Sequence, residues 1–132
     1  MSLKHLTLGL TICAGLVLAV TAADKKGTIP PASDKKGVTY DKDIKPIFEK
    51  NCFKCHGAEK QKGKLRLDKL ADVLKGGENG KAVLPGKSAD SPLVKAVARV
   101  VEDDAMPPAD KGKPLTAAEV GLIRAWIDQG AK

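Results

Sequence analysis

Four aromatic side chains, Tyr40, Phe48, Phe53 and Trp126, are all that this 132-residue chain offers a core. The length suits one domain and leaves no room for two independently folding enzyme domains. A domain of this size buries proportionally little surface, and one so poor in large side chains is short of core material. The sequence therefore points to a bound group that serves as part of the core.

Even the nominal length is generous. Residues 1–23 read as a secretory signal: a short start carrying Lys4, an apolar run from Leu6 to Val20, and the small residues Thr21-Ala22-Ala23 before Asp24-Lys25-Lys26. The apolar run of about 15 residues falls short of the ~20 that span a bilayer. Cleavage is expected rather than anchoring, with no stable membrane insertion afterwards. Cys13 follows the bulky Ile12 inside that run and reads as signal filler, not a lipid attachment point. The chain is thus expected to be exported, to the periplasm or another space outside the cytoplasm. Cleavage would remove Lys4 and no acid, which lowers the net charge from +7 to +6. It would also remove Met1, His5 and Cys13, leaving Cys52, Cys55, His56 and Met106 as the only Cys, His and Met residues.

Residues 24–38 read as a flexible tether. Asp24-Lys25-Lys26-Gly27 recurs as Asp34-Lys35-Lys36-Gly37, with a Pro-containing stretch between them. Such sequence has too little apolar surface to offset its ordering entropy. The folded domain is expected at 39–132.

Within that domain the periodicity is helical throughout. Ile44, Ile47 and Phe48 recur at i, i+3 and i+4, with Asp43 as the expected cap and Pro46 in the first turn. A short helix is expected over 68–75, with Leu70 and Leu74 inward and Gly76-Gly77 as its stop. Ser91-Pro92 opens a third, with Leu93, Val97, Val100 and Val101 on one face. Thr116 and Glu119 make a capping box for the last, with Leu115 stapling against Val120 and Gly130 at the stop. No stretch alternates as a strand. The spacing predicts an all-α domain of about four helices with long loops.

One motif carries the chemistry. Cys52-Phe53-Lys54-Cys55-His56 is the Cys-x-x-Cys-His pattern of c-type haem attachment. Two thiols three residues apart can add to the two vinyl groups of one haem, and the adjoining His56 then falls beneath the iron as its proximal ligand. A disulfide within so small a loop would be strained and would leave His56 without a role. Zinc wants four Cys or His ligands, and the mature chain has three. A thioredoxin-like pair wants a βαβ setting, for which no strands are present. For the distal position the inventory leaves no second histidine. Met106, in Ala105-Met106-Pro107-Pro108 and 50 residues after His56, is the one thioether. If Met106 is merely loop packing, the iron is open or lysine-ligated.

Other features have plainer readings. Gly76-Gly77-Glu78-Asn79-Gly80 lacks the preceding strand and the Gly-Lys-Ser/Thr of a phosphate loop, and reads as a tight turn. Glu102-Asp103-Asp104 lacks the glycine and distal Glu of a calcium loop. Lys50, Lys54, Lys60, Lys62 and Lys64 surround the haem motif, as ordinary solubilising surface or as a docking face for an acidic redox partner. Nucleic acid is a poor partner for a chain with 20 Lys and 3 Arg, few aromatics and an export signal.

Ile44 to Gly57, Leu65 to Asp68, Lys75 to Lys87, Ser91 to Val94, Met106-Pro107-Pro108 and the closing Trp126 to Ala131 resemble the planctomycete-type cytochrome c domain. The resemblance covers about 44–131. It implies a class I-like cytochrome c fold around one covalently bound haem c, with His56 and Met106 as axial ligands. In that family the domain often precedes large partner domains. This chain ends at Lys132, so it is expected to act alone or with a separate protein. The expected function is single-electron carriage between Fe(III) and Fe(II), not enzymatic catalysis. The alternative is a haem peroxidase or gas-sensing haem protein, should the distal site be open.

Overall fold

The computed structural model describes residues 27–132. The expected signal segment and residues 24–26 lie outside the described residues. Four α-helices organise the described residues: α1 (Lys45–Asn51), α2 (Leu70–Lys75), α3 (Pro92–Val97) and α4 (Ala117–Asp128). A π-helical turn at Tyr40–Ile44 runs into α1, and a single 3₁₀ turn lies at Lys62–Lys64. Among the described residues the extended pairings are two isolated bridges, His56 with Gln61 and Gly77 with Gly80. The domain is mostly helical, as the periodicity predicts.

Local chemistry explains the best-formed helix. The Thr116 hydroxyl accepts from the Glu119 N–H at 3.2 Å, and the Glu119 carboxylate accepts from the Thr116 N–H at 2.8 Å. Leu115 and Val120 are both buried, which completes the staple at the N-terminus of α4. Gly130, with φ +103°, terminates it.

The other helices differ from expectation in detail. The first begins at Tyr40, not at an Asp43 cap; the Asp43 carboxylate instead reaches back to accept the Thr39 N–H at 2.9 Å. In α2 the fully buried residue is Val73, while Leu70 and Leu74 are half-buried at its edges. Six residues make fewer than two turns, so one position takes the centre of the inward face. Helix α3 starts at Ser91-Pro92 but ends at Val97, which leaves Val101 half-exposed rather than inward. The Ser91 hydroxyl does not cap α3. It donates to the Lys87 carbonyl and accepts from the Leu84 N–H, both at 2.9 Å, fastening the preceding loop.

The core gathers three of the four aromatics. Tyr40, Phe48 and Trp126 lie with ring centroids 6.1–6.4 Å apart, Phe48 meeting Trp126 edge-to-face at 84°. Both polar tips are satisfied. The Tyr40 hydroxyl donates to the Leu67 carbonyl at 2.7 Å, and the Trp126 indole to the Lys132 carbonyl at 2.9 Å. Burial, with Asp68, Asp41 and Asp72 nearby, pushes the Tyr40 phenol up to about 12. This cluster fixes α1 and therefore the direction in which α1 delivers Cys52.

The expected tether is not free of the fold. Residues 27–38 lie against it: the Ser33 N–H donates to the Gly121 carbonyl at 2.9 Å, Arg124 donates to the Pro30 carbonyl at 2.5 Å, and Gln129 to the Lys35 carbonyl at 2.8 Å. Lys35 pairs with Asp43, Ile29 packs on the core and Val38 is buried in it. A Cβ at Gly121 would sit 2.8 Å from the Pro31 carbonyl oxygen, so the bare face of α4 is what admits the segment. Composition counts apolar side chains. This segment is held largely through its backbone groups as well, which composition does not display.

Candidate functional site

The haem motif leaves α1 as a tight turn. The Cys52 N–H donates to the Phe48 carbonyl at 2.7 Å, and the N–H groups of Cys55 and His56 both converge on the Cys52 carbonyl at 3.0 and 2.9 Å. The turn holds both cysteines on one side of the chain end and His56 directly after them. Both are free thiols. Cys52 is half-buried against the core, and that burial, with Cys55 beside it, pushes its thiol up to about 12.

The segment after the motif folds back to hold His56. The Lys62 N–H donates to the Cys55 carbonyl at 2.9 Å and the Leu67 N–H to the His56 carbonyl at 2.8 Å. His56 Nδ1 lies 3.3 Å from the Leu65 carbonyl oxygen. A carbonyl can only accept, so Nδ1 carries the proton and the Nε2 lone pair is left for another partner.

Leu65 is in turn fixed by the Gly76–Gly80 turn. The Glu78 N–H donates to the Gly63 carbonyl at 2.8 Å. A Cβ at Gly77 would stand 2.6 Å from that carbonyl oxygen and 3.1 Å from the Leu65 Cβ. The glycine-rich run is a clamp on the chain that orients His56, and its absent side chains are a matter of close backbone approach.

Met106 arrives from the other end of the domain. Its N–H donates to the Ala96 carbonyl at 3.0 Å, and its neighbours Ala105 and Pro107 are buried while its own side chain is 38% exposed. That exposure is toward two adjoining cavities. One, of about 470 Å³, is lined by Cys52, Cys55, His56 and Met106 with Lys54, Lys60 and others. The second, of about 370 Å³, shares Cys55, His56 and Met106 and continues past Leu65 and Leu93. The structure brings all four expected site residues to one place.

Sequence reasoning missed some contributors. Lys54, Lys60 and Lys62 line the first cavity as the motif's surroundings imply, but Lys50 and Lys64 do not, and Lys111 joins from a distant loop. The Leu65 carbonyl had no signal, because a backbone acceptor can belong to any residue type. Among the described residues no cluster of three or more His, Cys, Asp or Glu side chains forms a metal site. No helix among them is long and apolar enough to cross a membrane.

These residues fit a haem. Two free thiols on one turn, an imidazole with its Nε2 available and an exposed thioether share one cleft, and among the described residues no disulfide or metal cluster claims the cysteines.

Residues 52–110 match the family described as Planctomycete cytochrome C. That match supports a planctomycete-type cytochrome c domain there, and such a domain points to a haem-binding, electron-transfer role with haem c. No curated protein and no solved structure matches the chain.

Proposed function

We propose that the chain is a mono-haem c-type cytochrome of class I-like fold, an exported periplasmic carrier of single electrons. Cys52 and Cys55 hold haem c through thioethers, with His56 as the proximal and Met106 as the distal ligand. The observation that carries this reading is the convergence of four donors, from segments 50 residues apart, on one cleft. When bound, a haem supplies a couple between Fe(III) and Fe(II), which methionine sulfur biases toward the reduced state relative to a second histidine.

The chain's own residues do the rest. The Leu65 carbonyl fixes the tautomer and orientation of His56 and raises its basicity as a ligand. Pro107 and Pro108 restrict the backbone after Met106, so little ordering is left to be done when the sulfur takes its place. Leu65 and Leu93 give the second cavity apolar walls beside these ligands.

The test is the spectrum of protein purified from a haem-maturing host. Haem should stay on the polypeptide through acid–acetone extraction, and the ferric protein should show the weak far-red band of sulfur on low-spin iron. Replacing Met106 with Ala should abolish the band and admit cyanide or carbon monoxide while the haem stays attached. A wild-type protein that is already high-spin and takes up carbon monoxide would move the reading to a peroxidase or sensor.

Lys54, Lys60, Lys62 and Lys111 at the cleft then serve to steer an acidic redox partner. Exposed charges are screened over about 8–10 Å at moderate salt, so electron transfer to an acidic partner should slow as salt rises. Reversing Lys54 and Lys60 to Glu should slow it further. A rate indifferent to both leaves these lysines as solubilising surface.

A further inference from the structure

Helix α3 closes with an arginine in a position that favours glycine. Ala98 is its last helical-like residue, and Arg99 follows with φ +57°, in the left-handed region. The Arg99 N–H donates to the Ala96 carbonyl and the Val100 N–H to the Lys95 carbonyl, both at 3.0 Å. This is the wrapped closure that glycine usually serves, because a β-carbon is disfavoured at that backbone conformation. Arginine has no intrinsic advantage there. A disfavoured conformation that persists asks what its side chain does.

The side chain reaches the loop that carries Met106. Arg99 Nη1 donates to the Pro107 carbonyl at 3.0 Å. One residue earlier, the Met106 N–H donates to the Ala96 carbonyl. Met106 is therefore pinned on both sides to the end of α3, by a backbone bond before its side chain and a charged donor after it. Position 99 is itself held from outside, since its carbonyl accepts the Gly27 N–H at 3.0 Å. The pinned backbone contrasts with the exposed thioether it presents to the cleft. A thioether is a weak, neutral donor, and it competes with external ligands best when its loop is already ordered.

We propose that Arg99 is the positioning residue for the Met106 thioether, holding the 105–108 loop in ligating register through the Pro107 carbonyl. The proposal rests on the reading of Met106 as the distal ligand. Its left-handed backbone makes the role separable from ordinary stability. Glycine and asparagine both suit that conformation, and neither can reach Pro107.

The experiment uses the haem-loaded wild type, Arg99→Gly, Arg99→Asn and Met106→Ala. Three quantities are read: the far-red sulfur band, the affinity for imidazole as a competing ligand, and the thermal midpoint. In both Arg99 variants the band should weaken and imidazole should bind about tenfold more tightly, the factor expected on losing a hydrogen bond from a charged donor. The midpoint of Arg99→Gly should stay level or rise. Unchanged imidazole affinity in both variants overturns the proposal. So does a band that falls only in step with the thermal midpoint, which would make Arg99 a general brace. If the wild type lacks the band and binds imidazole as tightly as Met106→Ala, the distal-ligand reading itself fails, whatever Arg99 does.

Discussion

Tyr40, Phe48 and Trp126 fill the space between the first helix and α4, with every polar tip bonded. The cavities around His56 and Met106 have none of these rings in their lining. They are lined by short loops, prolines, lysines and a few aliphatic side chains. One side is a finished protein core and the other is a mould. The difference accounts for the poverty of the sequence in aromatics: three of four are spent on a scaffold that holds α1 rigid, and the space past Cys52 is left for a planar cofactor. Breaking the scaffold side should therefore unfold the domain, whereas changes on the cavity side should alter the site more than the fold.

The largest effect is expected at Trp126. It is fully buried, contacts both other rings and bonds the Lys132 carbonyl, which also accepts the Tyr40 N–H at 2.8 Å. Trp126→Ala should cost about 3–5 kcal/mol, the range for deleting a large core aromatic. Denaturant unfolding followed by helical circular dichroism measures it. A loss below about 1 kcal/mol would mean that the cavity side, with its cofactor, carries the fold instead.

Next comes the segment that joins the two sides from outside. Excising residues 27–35 removes the bonds to Gly121, Arg124, Gln129 and Arg99, and the apolar contact of Ile29. Four hydrogen bonds at about 0.5–1.5 kcal/mol each, offset in part by the ordering entropy regained when the segment is gone, give a net loss on the order of 2–3 kcal/mol. A shift within the ~0.5 kcal/mol of ordinary surface changes would return the segment to the role of a tether.

What the sequence made legible follows the same division. The α4 capping box and the haem motif were readable because each is complete within a few adjacent residues: Thr116 with Glu119, Cys52 with His56. The placement of His56 and Met106 at one cleft was readable only by elimination, since residues 24–132 hold a single His and a single Met. The strap that residues 27–38 form along α4 was not readable. Two of its bonds end on carbonyls, that of Gly121 in α4 and that of the segment's own Pro30, and neither residue type announces a bond. Nor was Val73 as the inward residue of α2, because three large apolar candidates in six residues cannot be ranked by period alone.

On the cavity side, glycines 77 and 80 separate two effects. A Cβ at Gly77 presses on the Gly63 carbonyl and on Leu65, whose own carbonyl orients His56. Gly80 has φ +94° and open space around it. Both alanine variants should lose about 1–2 kcal/mol, one through overpacking and the other through backbone strain. Only Gly77→Ala should shift the ring resonances of His56 in the haem-loaded protein. Equal shifts in both would show that the turn supports the site merely by being folded.

The smallest expected effect lies at the seam between strap and helix, and it depends on pH. Asp43 is held below the ordinary carboxylate range by its bond from Lys35, then by the Thr39 N–H, with Lys42 adding to the attraction. A carboxylate whose folded-state pKa is depressed contributes stability that is present above its ordinary value of about 4 and is lost as pH falls through the folded one. Asp43→Asn should therefore be less stable than wild type at neutral pH, with a gap that closes in acid below about pH 4. Thermal midpoints of both proteins between pH 7 and pH 2.5 measure the gap. One that stays constant across that range would show that Asp43 acts by the shape of its turn, through the Thr39 bond an asparagine can also make, and that its charge ties nothing to the strap.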